Sequence, residues 1–194
     1  MAKRLEGLGC AQRFVVSSVS EGYCLPLIYL AAWRANAAVA PVDSGADGST
    51  DEELAEIITR LDAAAVICSD ADAERFGRLT SVPVLAATAL VGTEDCESPP
   101  VPFAGDAYSH CFFTSGSTGT PKGCLVTRTA LATYARARNR VDAVDATSVL
   151  LLASHHAFDP TVGDIAQCAL SQASLCCALC EIIQDSIASM AWGA

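Results

Sequence analysis

The sequence predicts an α/β fold in which helices flank a mainly parallel sheet. Short apolar runs with strand character alternate with helical patterns along the chain, as is typical of βαβ units. Hydrophobic residues make up 52% of the 194 residues and charged residues only 18%, a balance that excludes intrinsic disorder. Since a domain averages roughly 150 residues, the length allows one ordinary domain with a buried core.

The individual elements follow from local patterns. Apolar residues fill a helix over residues 25–34. Ser49 and Thr50, followed by three acids, offer a hydroxyl N-cap to a helix whose apolar residues recur at spacings of three and four. Further helices are predicted over residues 71–79, 130–141 and 161–170. Strands are predicted over residues 37–42, 65–68, 82–86, 108–113, 124–126, 149–153 and 174–180. A Gly/Asp-rich loop (44–49) and a Pro-rich linker (94–102) complete the pattern.

The charge balance excludes two classes of partner. Twelve lysines and arginines stand against 22 aspartates and glutamates, which gives a net charge of −10. Nucleic acids and anionic membranes require clustered basic residues instead. No apolar stretch reaches the roughly 20 residues of a membrane span. The N-terminal residues lack the apolar core of a signal peptide. We therefore expect a cytoplasmic protein with neither nucleic-acid nor membrane partners.

The ten cysteines are interpreted as reduced thiols that are buried as small apolar residues. Cys177 and Cys180 have the spacing of a metal-binding pair, and Cys176 adjoins them. No second pair of cysteines or histidines stands at the distance that a zinc ribbon needs, so no metal ligand is predicted. A cysteine-based metal module remains an alternative hypothesis.

The most informative segment is FTSGSTGTPKG, residues 113–123. It holds five hydroxyl side chains, three glycines that let backbone N–H groups approach a ligand, and the compact charge of Lys122. Between two predicted strands, this combination suits an anion, and polyphosphate above all. It is not a Walker loop, because no GK[ST] follows at the required spacing. The alternative interpretation is a flexible Ser/Thr/Gly turn.

The segment TSGSTGTPKG resembles the phosphate loop of the adenylate-forming superfamily at every position. That superfamily contains acyl-CoA synthetases, luciferases and the adenylation domains of nonribosomal peptide synthetases. Residues 30–43 and 53–69 resemble the family's helix and strand units before the loop. The segment AFDPTVGDI, residues 157–165, resembles the Phe-Asp core motif of amino-acid-activating members.

The likeness covers residues 24–178 and implies a domain division. Residues 24–180 would be a partial, N-terminal part of the AMP-binding (adenylation) domain, with the adenylate-forming fold. Residues 1–23 form an N-terminal segment and residues 181–194 a tail, and neither receives an assignment.

The resemblance implies ATP-dependent activation of a carboxylic acid, and more specifically of an amino acid, as an acyl-adenylate with release of pyrophosphate. The residues it assigns to ATP are Thr114, Ser115, Gly116, Ser117, Thr118, Gly119 and Lys122. Mg²⁺ would enter with the nucleotide, and either a carrier domain or coenzyme A would accept the adenylate. Asp159 would pair with the α-amino group of the substrate through a charge-assisted contact. Asp159 has an alternative role as the N-cap of the helix at Pro160.

Some positions depart from the family pattern. Asn36 stands where the family usually has glycine, Arg128 where it commonly has histidine, and Gln172 where it usually has a second glycine. His155 and His156 precede the Phe-Asp motif, in a region that lines the substrate pocket of the family, and are interpreted as structural.

The lysine count limits the activity that we expect of this chain. The lysines are Lys3 and Lys122, and neither suits the family's late lysine, which contacts both the carboxylate and the α-phosphate. The family's segments for Mg²⁺, adenine and ribose are not recognisable after Asp159. We therefore expect a truncated chain that does not complete the reaction alone, and no catalytic residue is assigned. A non-catalytic ATP- or pyrophosphate-binding module, or an inactive remnant, is the alternative.

Overall fold

The computed structural model describes residues 1–20, 22–90, 107–114 and 122–177. Strands and helices alternate along the described chain except at the strands Tyr108–Thr114 and Lys122–Thr127, which follow each other, and the predicted α/β class is confirmed. The strands are β1 (Phe14–Ser17), β2 (Ala38–Pro41), β3 (Ala65–Cys68), β4 (Val84–Ala86), β5 (Tyr108–Thr114), β6 (Lys122–Thr127), β7 (Val149–Leu152) and β8 (Ser174–Cys177). The helices are α1 (Ala2–Gly7), α2 (Cys24–Arg34), α3 (Asp51–Arg60), α4 (Ala73–Leu79), α5 (Ala87–Leu90), α6 (Arg128–Val141) and α7 (Asp159–Ser171). The predicted linker over residues 94–102 lies outside the described residues.

One sheet contains six of the strands, in the order β4-β3-β1-β2-β5-β6. Neighbours from β4 through β5 are parallel, whereas β6 runs antiparallel to β5 at the edge of the sheet. Helices α2 and α3 connect successive parallel strands, as parallel pairing requires. Strands β7 and β8 form a second, parallel pair. The mainly parallel sheet is therefore confirmed in the described part of the chain.

Helices cover both faces of the six-stranded sheet. Successive residues of a strand point to opposite faces, and β1 shows this directly. Val15 packs into an apolar cluster with α2 and α7, whereas Val16 packs into a second cluster with α3 and α4. Both valines are fully buried. The core is thus divided by the sheet into two layers. In open α/β sheets, ligands bind outside the carboxyl ends of the strands.

The strand β1 was not predicted from the sequence, although it occupies a central position in the sheet. It falls in the N-terminal segment that received no assignment. Its signal is the run Phe14, Val15 and Val16, which is rich in residues that favour strands but only four residues long with Ser17. The short helices α1 and α5 were also not predicted. Their six and four residues are too few for a helical period to stand out.

The helix start predicted near Ser49 and Thr50 is confirmed at Thr50. The Thr50 hydroxyl accepts the N–H of Glu53 at 3.2 Å, and the Glu53 carboxylate accepts the N–H of Thr50 at 2.9 Å. This reciprocal pair is a capping box, which satisfies two backbone donors that a helix start leaves open. Leu54, Ile57 and Ile58 then form the buried face of α3.

Two departures from the family pattern fall on left-handed backbone. Asn36 has a φ of 56° after α2, and Gln172 has a φ of 60° at the C-cap of α7. Glycine adopts this conformation without a steric cost, which explains why it suits both positions. Asparagine tolerates the left-handed region better than most residues. A glutamine there costs about 1–2 kcal/mol of backbone strain.

The interpretation of the cysteines as buried apolar residues is confirmed only in part, because Cys124 and Cys176 are exposed and Cys177 is half-buried. Eight cysteines lie in the described ranges and all are free thiols, of which five are buried. Cys180 lies outside these ranges, so the Cys177–Cys180 pair stays an untested hypothesis. Among the described helices, none has the length and apolar character that a bilayer crossing needs.

Candidate functional site

The two ends of the predicted phosphate loop lie side by side. Thr114 is the last residue of β5 and Lys122 the first of β6, and the two are partners in the antiparallel ladder. The Thr114 hydroxyl lies 3.5 Å from the carbonyl oxygen of Lys122. Both residues are exposed. A hydroxyl and an ammonium group therefore start and end the connection at the carboxyl end of β5.

The central residues of the predicted loop lie between these two ends in sequence. Ser115, Gly116, Ser117, Thr118 and Gly119 are outside the described residues, and their assignment to ATP stays a prediction.

Asp159 lies in the first turn of α7 but does not cap it. The N-cap is Phe158, which makes no side-chain capping bond, and Asp159 is the first helical residue, with Pro160 next to it. The alternative role of Asp159 as N-cap is therefore wrong by one position. A carboxylate in the first turn still interacts favourably with the positive end of the helix dipole.

The Asp159 carboxylate contacts a buried histidine on β5. Its Oδ1 lies 3.3 Å from Nε2 of His110. The His110 side chain is only 1% exposed, whereas that of Asp159 is 73% exposed. His110 precedes Thr114 by four residues on the same strand, about 13 Å away at the rise of an extended chain. One strand thus links the Asp159 carboxylate to the start of the predicted phosphate loop.

The neighbours of His110 favour one tautomer of the neutral ring. A carboxylate can only accept, so Nε2 carries the proton that faces Asp159. Nδ1 then accepts from the Ser109 hydroxyl, which is 2.7 Å away. That hydroxyl also lies 3.1 Å from the carbonyl oxygen of Val126, but its single proton serves one acceptor at a time. Burial lowers the pKa of His110, and the nearby Asp159 offsets this only in part.

This shift has a consequence for acid stability. Because His110 has a lowered pKa in the folded protein, the unfolded chain binds more protons below about pH 6.5, the ordinary histidine value. We expect the free energy of unfolding to fall as the pH drops from about 6.5 towards 5. Urea unfolding at several pH values would measure the slope. His110→Gln should reduce that slope, and an equal slope in both proteins would contradict the assignment.

A second polar group lies at the carboxyl end of β2. Asp43 follows β2 closely, and its Oδ2 lies 3.6 Å from Nε2 of His155. His156 is buried, and its Nε2 lies 3.1 Å from the carbonyl oxygen of Val42. The sequence indicated the two histidines and, separately, a strand over residues 37–42 that ends just before Asp43. It gave no sign that they meet, because 112 residues separate Asp43 from His155.

Comparison with known proteins gives a consistent result. Residues 1–186 match the family model described as AMP-binding enzyme. The chain is 34% identical over 139 residues to FR901469 synthetase of Dothideomycetidae sp., across 70% of this chain and 1% of that protein. It is 26% identical over 161 residues to the nonribosomal peptide synthetase fmqA of Aspergillus fumigatus, across 81% of this chain and 4% of that protein. The chain therefore spans a small fraction of the curated relatives it matches.

The fold also matches solved structures. One is the nonribosomal peptide synthetase FmoA3 in a form with α-methyl-L-serine-AMP bound. The TM-score is 0.78 at 21% sequence identity, and the match covers 92% of this chain and 20% of that one. At this identity the likeness shows the fold.

Proposed function

Because the chain belongs to the AMP-binding enzyme family, we propose that it is the nucleotide-binding part of an enzyme that activates an amino acid. In this reaction a carboxylate oxygen attacks the α-phosphorus of ATP. A new P–O bond forms, the bond to the β-phosphate oxygen breaks, and pyrophosphate leaves with the electron pair. The single observation that carries the proposal is the pairing of Thr114 with Lys122 at the carboxyl end of β5.

The phosphate contacts follow from that pairing. Thr114, Ser115, Ser117 and Thr118 would donate hydroxyls to the β- and γ-phosphates, and Gly116 and Gly119 would let backbone N–H groups approach. The Lys122 ammonium would balance the charge that grows on pyrophosphate as it leaves. An exposed lysine at a strand end can reach such a ligand, because a flexible four-carbon stem carries its ammonium group and that group has three donors.

Asp159 would receive the α-amino group of the substrate. Its carboxylate reaches solvent while Nε2–H of His110 holds one of its oxygens. An ammonium group could then bind the open side through a charge-assisted hydrogen bond. A substrate without that group would leave the carboxylate unmatched, which would select amino acids over plain carboxylic acids.

Mg²⁺ would join the site through the nucleotide. When bound, it neutralises phosphate charge and orients the oxygens of the transferred group. Among the described residues, Asp43, His155 and His156 have ligand atoms close enough together to hold a metal ion, and two of these three ligands are imidazoles. Mg²⁺ prefers oxygen ligands instead. The proposed source of its ligands is therefore the triphosphate itself.

We further propose that these 194 residues do not complete the reaction alone. Lys122 is assigned to the departing phosphates, and Lys3 lies in α1, which packs against α2. Neither is then available to contact both the substrate carboxylate and the α-phosphate. We also propose a cytoplasmic setting, which the free thiols support, and a carrier domain or coenzyme A as acceptor of the adenylate.

The experiment has two steps. Calorimetric titration of the chain with MgATP should show saturable binding, and amino-acid-dependent ATP–pyrophosphate exchange should be absent. Absence of ATP binding would contradict the phosphate contacts, and robust exchange would contradict the incompetence of the chain alone.

A third measurement separates activation from a non-catalytic nucleotide module. With MgATP present, a panel of amino acids should include one that binds, and Asp159→Asn should weaken that binding. ATP binding without any amino-acid binding would favour the module.

A further inference from the structure

We propose that Asp43, His155 and His156 form a binding site for Zn²⁺ at the carboxyl end of β2. One ligand atom from each residue lies within 4.8 Å of those of the other two. The 3.6 Å between Oδ2 of Asp43 and Nε2 of His155 is already close to a ligand separation. Two zinc bonds of about 2.0–2.2 Å at a tetrahedral angle place their ligand atoms roughly 3.3 Å apart.

His156 has the features of a preorganised ligand. The residue is 3% exposed, and Nε2–H donates to the Val42 carbonyl oxygen at 3.1 Å. That bond fixes the tautomer and leaves the lone pair on Nδ1. Nδ1 is buried and has no hydrogen-bond partner among the described residues. Histidines that bind metals usually donate their other N–H to a carbonyl or carboxylate in this manner.

Asp43 is held with one carboxylate oxygen available. Its Oδ1 accepts the N–H of Gly45 at 2.9 Å, while its Oδ2 is the oxygen that faces His155. The turn is closed by the N–H of Ser49, which donates to the Asp43 carbonyl oxygen at 2.8 Å. Gly48 makes this turn possible, because a Cβ there would lie 2.5 Å from the same oxygen.

His155 completes the set and can adjust its position. Its ring is half exposed, and Nδ1 accepts the N–H of Ala157 at 3.3 Å. A neutral histidine that binds a metal through Nε2 carries its proton on Nδ1, and Nδ1 can then no longer accept a hydrogen bond. We therefore expect the long contact from the N–H of Ala157 to open when Zn²⁺ binds. Two imidazoles and one carboxylate suit Zn²⁺, whereas Mg²⁺ and Ca²⁺ take oxygen ligands. The fourth position of the tetrahedron is left for water.

Binding would connect two separate parts of the fold. His155 and His156 lie between β7 and α7, just before Asp159, whereas Asp43 follows β2. A bound ion would therefore tie the start of α7 to the sheet. Binding of Zn²⁺ at these three residues does not depend on the proposed nucleotide chemistry.

Titration of the full chain with Zn²⁺, and with Co²⁺ as a spectroscopic probe, tests the site. We expect one equivalent to bind with the absorption of nitrogen and oxygen ligands. Loss of a residue that only hydrogen-bonds to a metal ligand already weakens metal binding by about ten-fold or more. Asp43→Asn and His155→Ala change ligands directly, so each should weaken Zn²⁺ binding by at least about ten-fold. The exposed Asp47, in the same turn, provides the matched control Asp47→Asn, which should bind as the wild type does.

The thiols of this chain make a second control necessary. Cys176 is exposed, and Cys176→Ser should leave the binding unchanged. Thiolate-to-cobalt absorption bands, equal affinity in Asp43→Asn, or absence of saturable binding would each overturn the proposal. Both ligand variants change partly exposed side chains, and circular dichroism would verify that they fold.

Discussion

Replacement of Lys122 by alanine is expected to lower the affinity for MgATP by about 10- to 150-fold. A hydrogen bond to a charged group contributes roughly 1.5–3 kcal/mol, which corresponds to that range. The side chain is exposed at the first residue of β6, so its loss removes little packing. Calorimetric titration of both proteins under the same salt conditions would measure the difference.

Lys3 offers the matched control for that experiment. It is the other lysine of the chain and is exposed in α1. Lys3→Ala removes the same charge from a residue that is assigned no contact with the phosphates. We therefore expect unchanged affinity for MgATP. Lys122→Arg retains the charge with a different geometry and should bind with intermediate affinity. Equal affinities in wild type, Lys122→Ala and Lys3→Ala would refute the role of Lys122.

Trp33→Ala is expected to lower the free energy of unfolding by about 3–5 kcal/mol, as loss of a large buried aromatic side chain does. Trp33 is 6% exposed in α2 and packs against Tyr29 with ring centroids 5.7 Å apart. Its indole N–H donates to the carbonyl oxygen of Ser109 at 3.1 Å. The substitution therefore removes apolar packing and the partner of a buried carbonyl on β5. Urea unfolding followed by far-ultraviolet circular dichroism would measure the loss.

The variant Trp33→Phe separates the two contributions. Phenylalanine retains much of the packing but lacks the N–H, so the cost should be smaller, about 1–3 kcal/mol for the buried Ser109 carbonyl. This variant also covers the case in which Trp33→Ala fails to fold. Unchanged urea midpoints in both variants would mean that α2 does not anchor β5 through Trp33.

Elements of the fold could be predicted where a few neighbouring residues carry the pattern that defines them. The capping box at Thr50 and Glu53 spans four residues, and the structure has it where the pattern indicated. Strand β1 is also short, but the sequence predicts no element before it, and a run of four residues is a weak signal by itself. Its central place follows from pairing with β2 and β3, which are distant in the chain.

The candidate site could likewise be predicted only where its residues lie close together in the sequence. The phosphate-loop pattern marked Thr114 and Lys122 because the residue types needed for an anion lie within a few positions of each other. His110 received no assignment, since nothing near it in sequence indicates a contact. Its partner Asp159 lies 49 residues further along the chain.

The sequence by itself determined the fold class, the family resemblance and the position of the candidate phosphate loop. Each depends on residue types at short spacing, where chain connectivity keeps the groups together. The tertiary structure decided that His110 holds Asp159 and that Asp43 meets His155. These contacts join groups on separate elements. They form only because the fold places the first turn of α7 against the middle of β5 and the residues before α7 against the turn after β2.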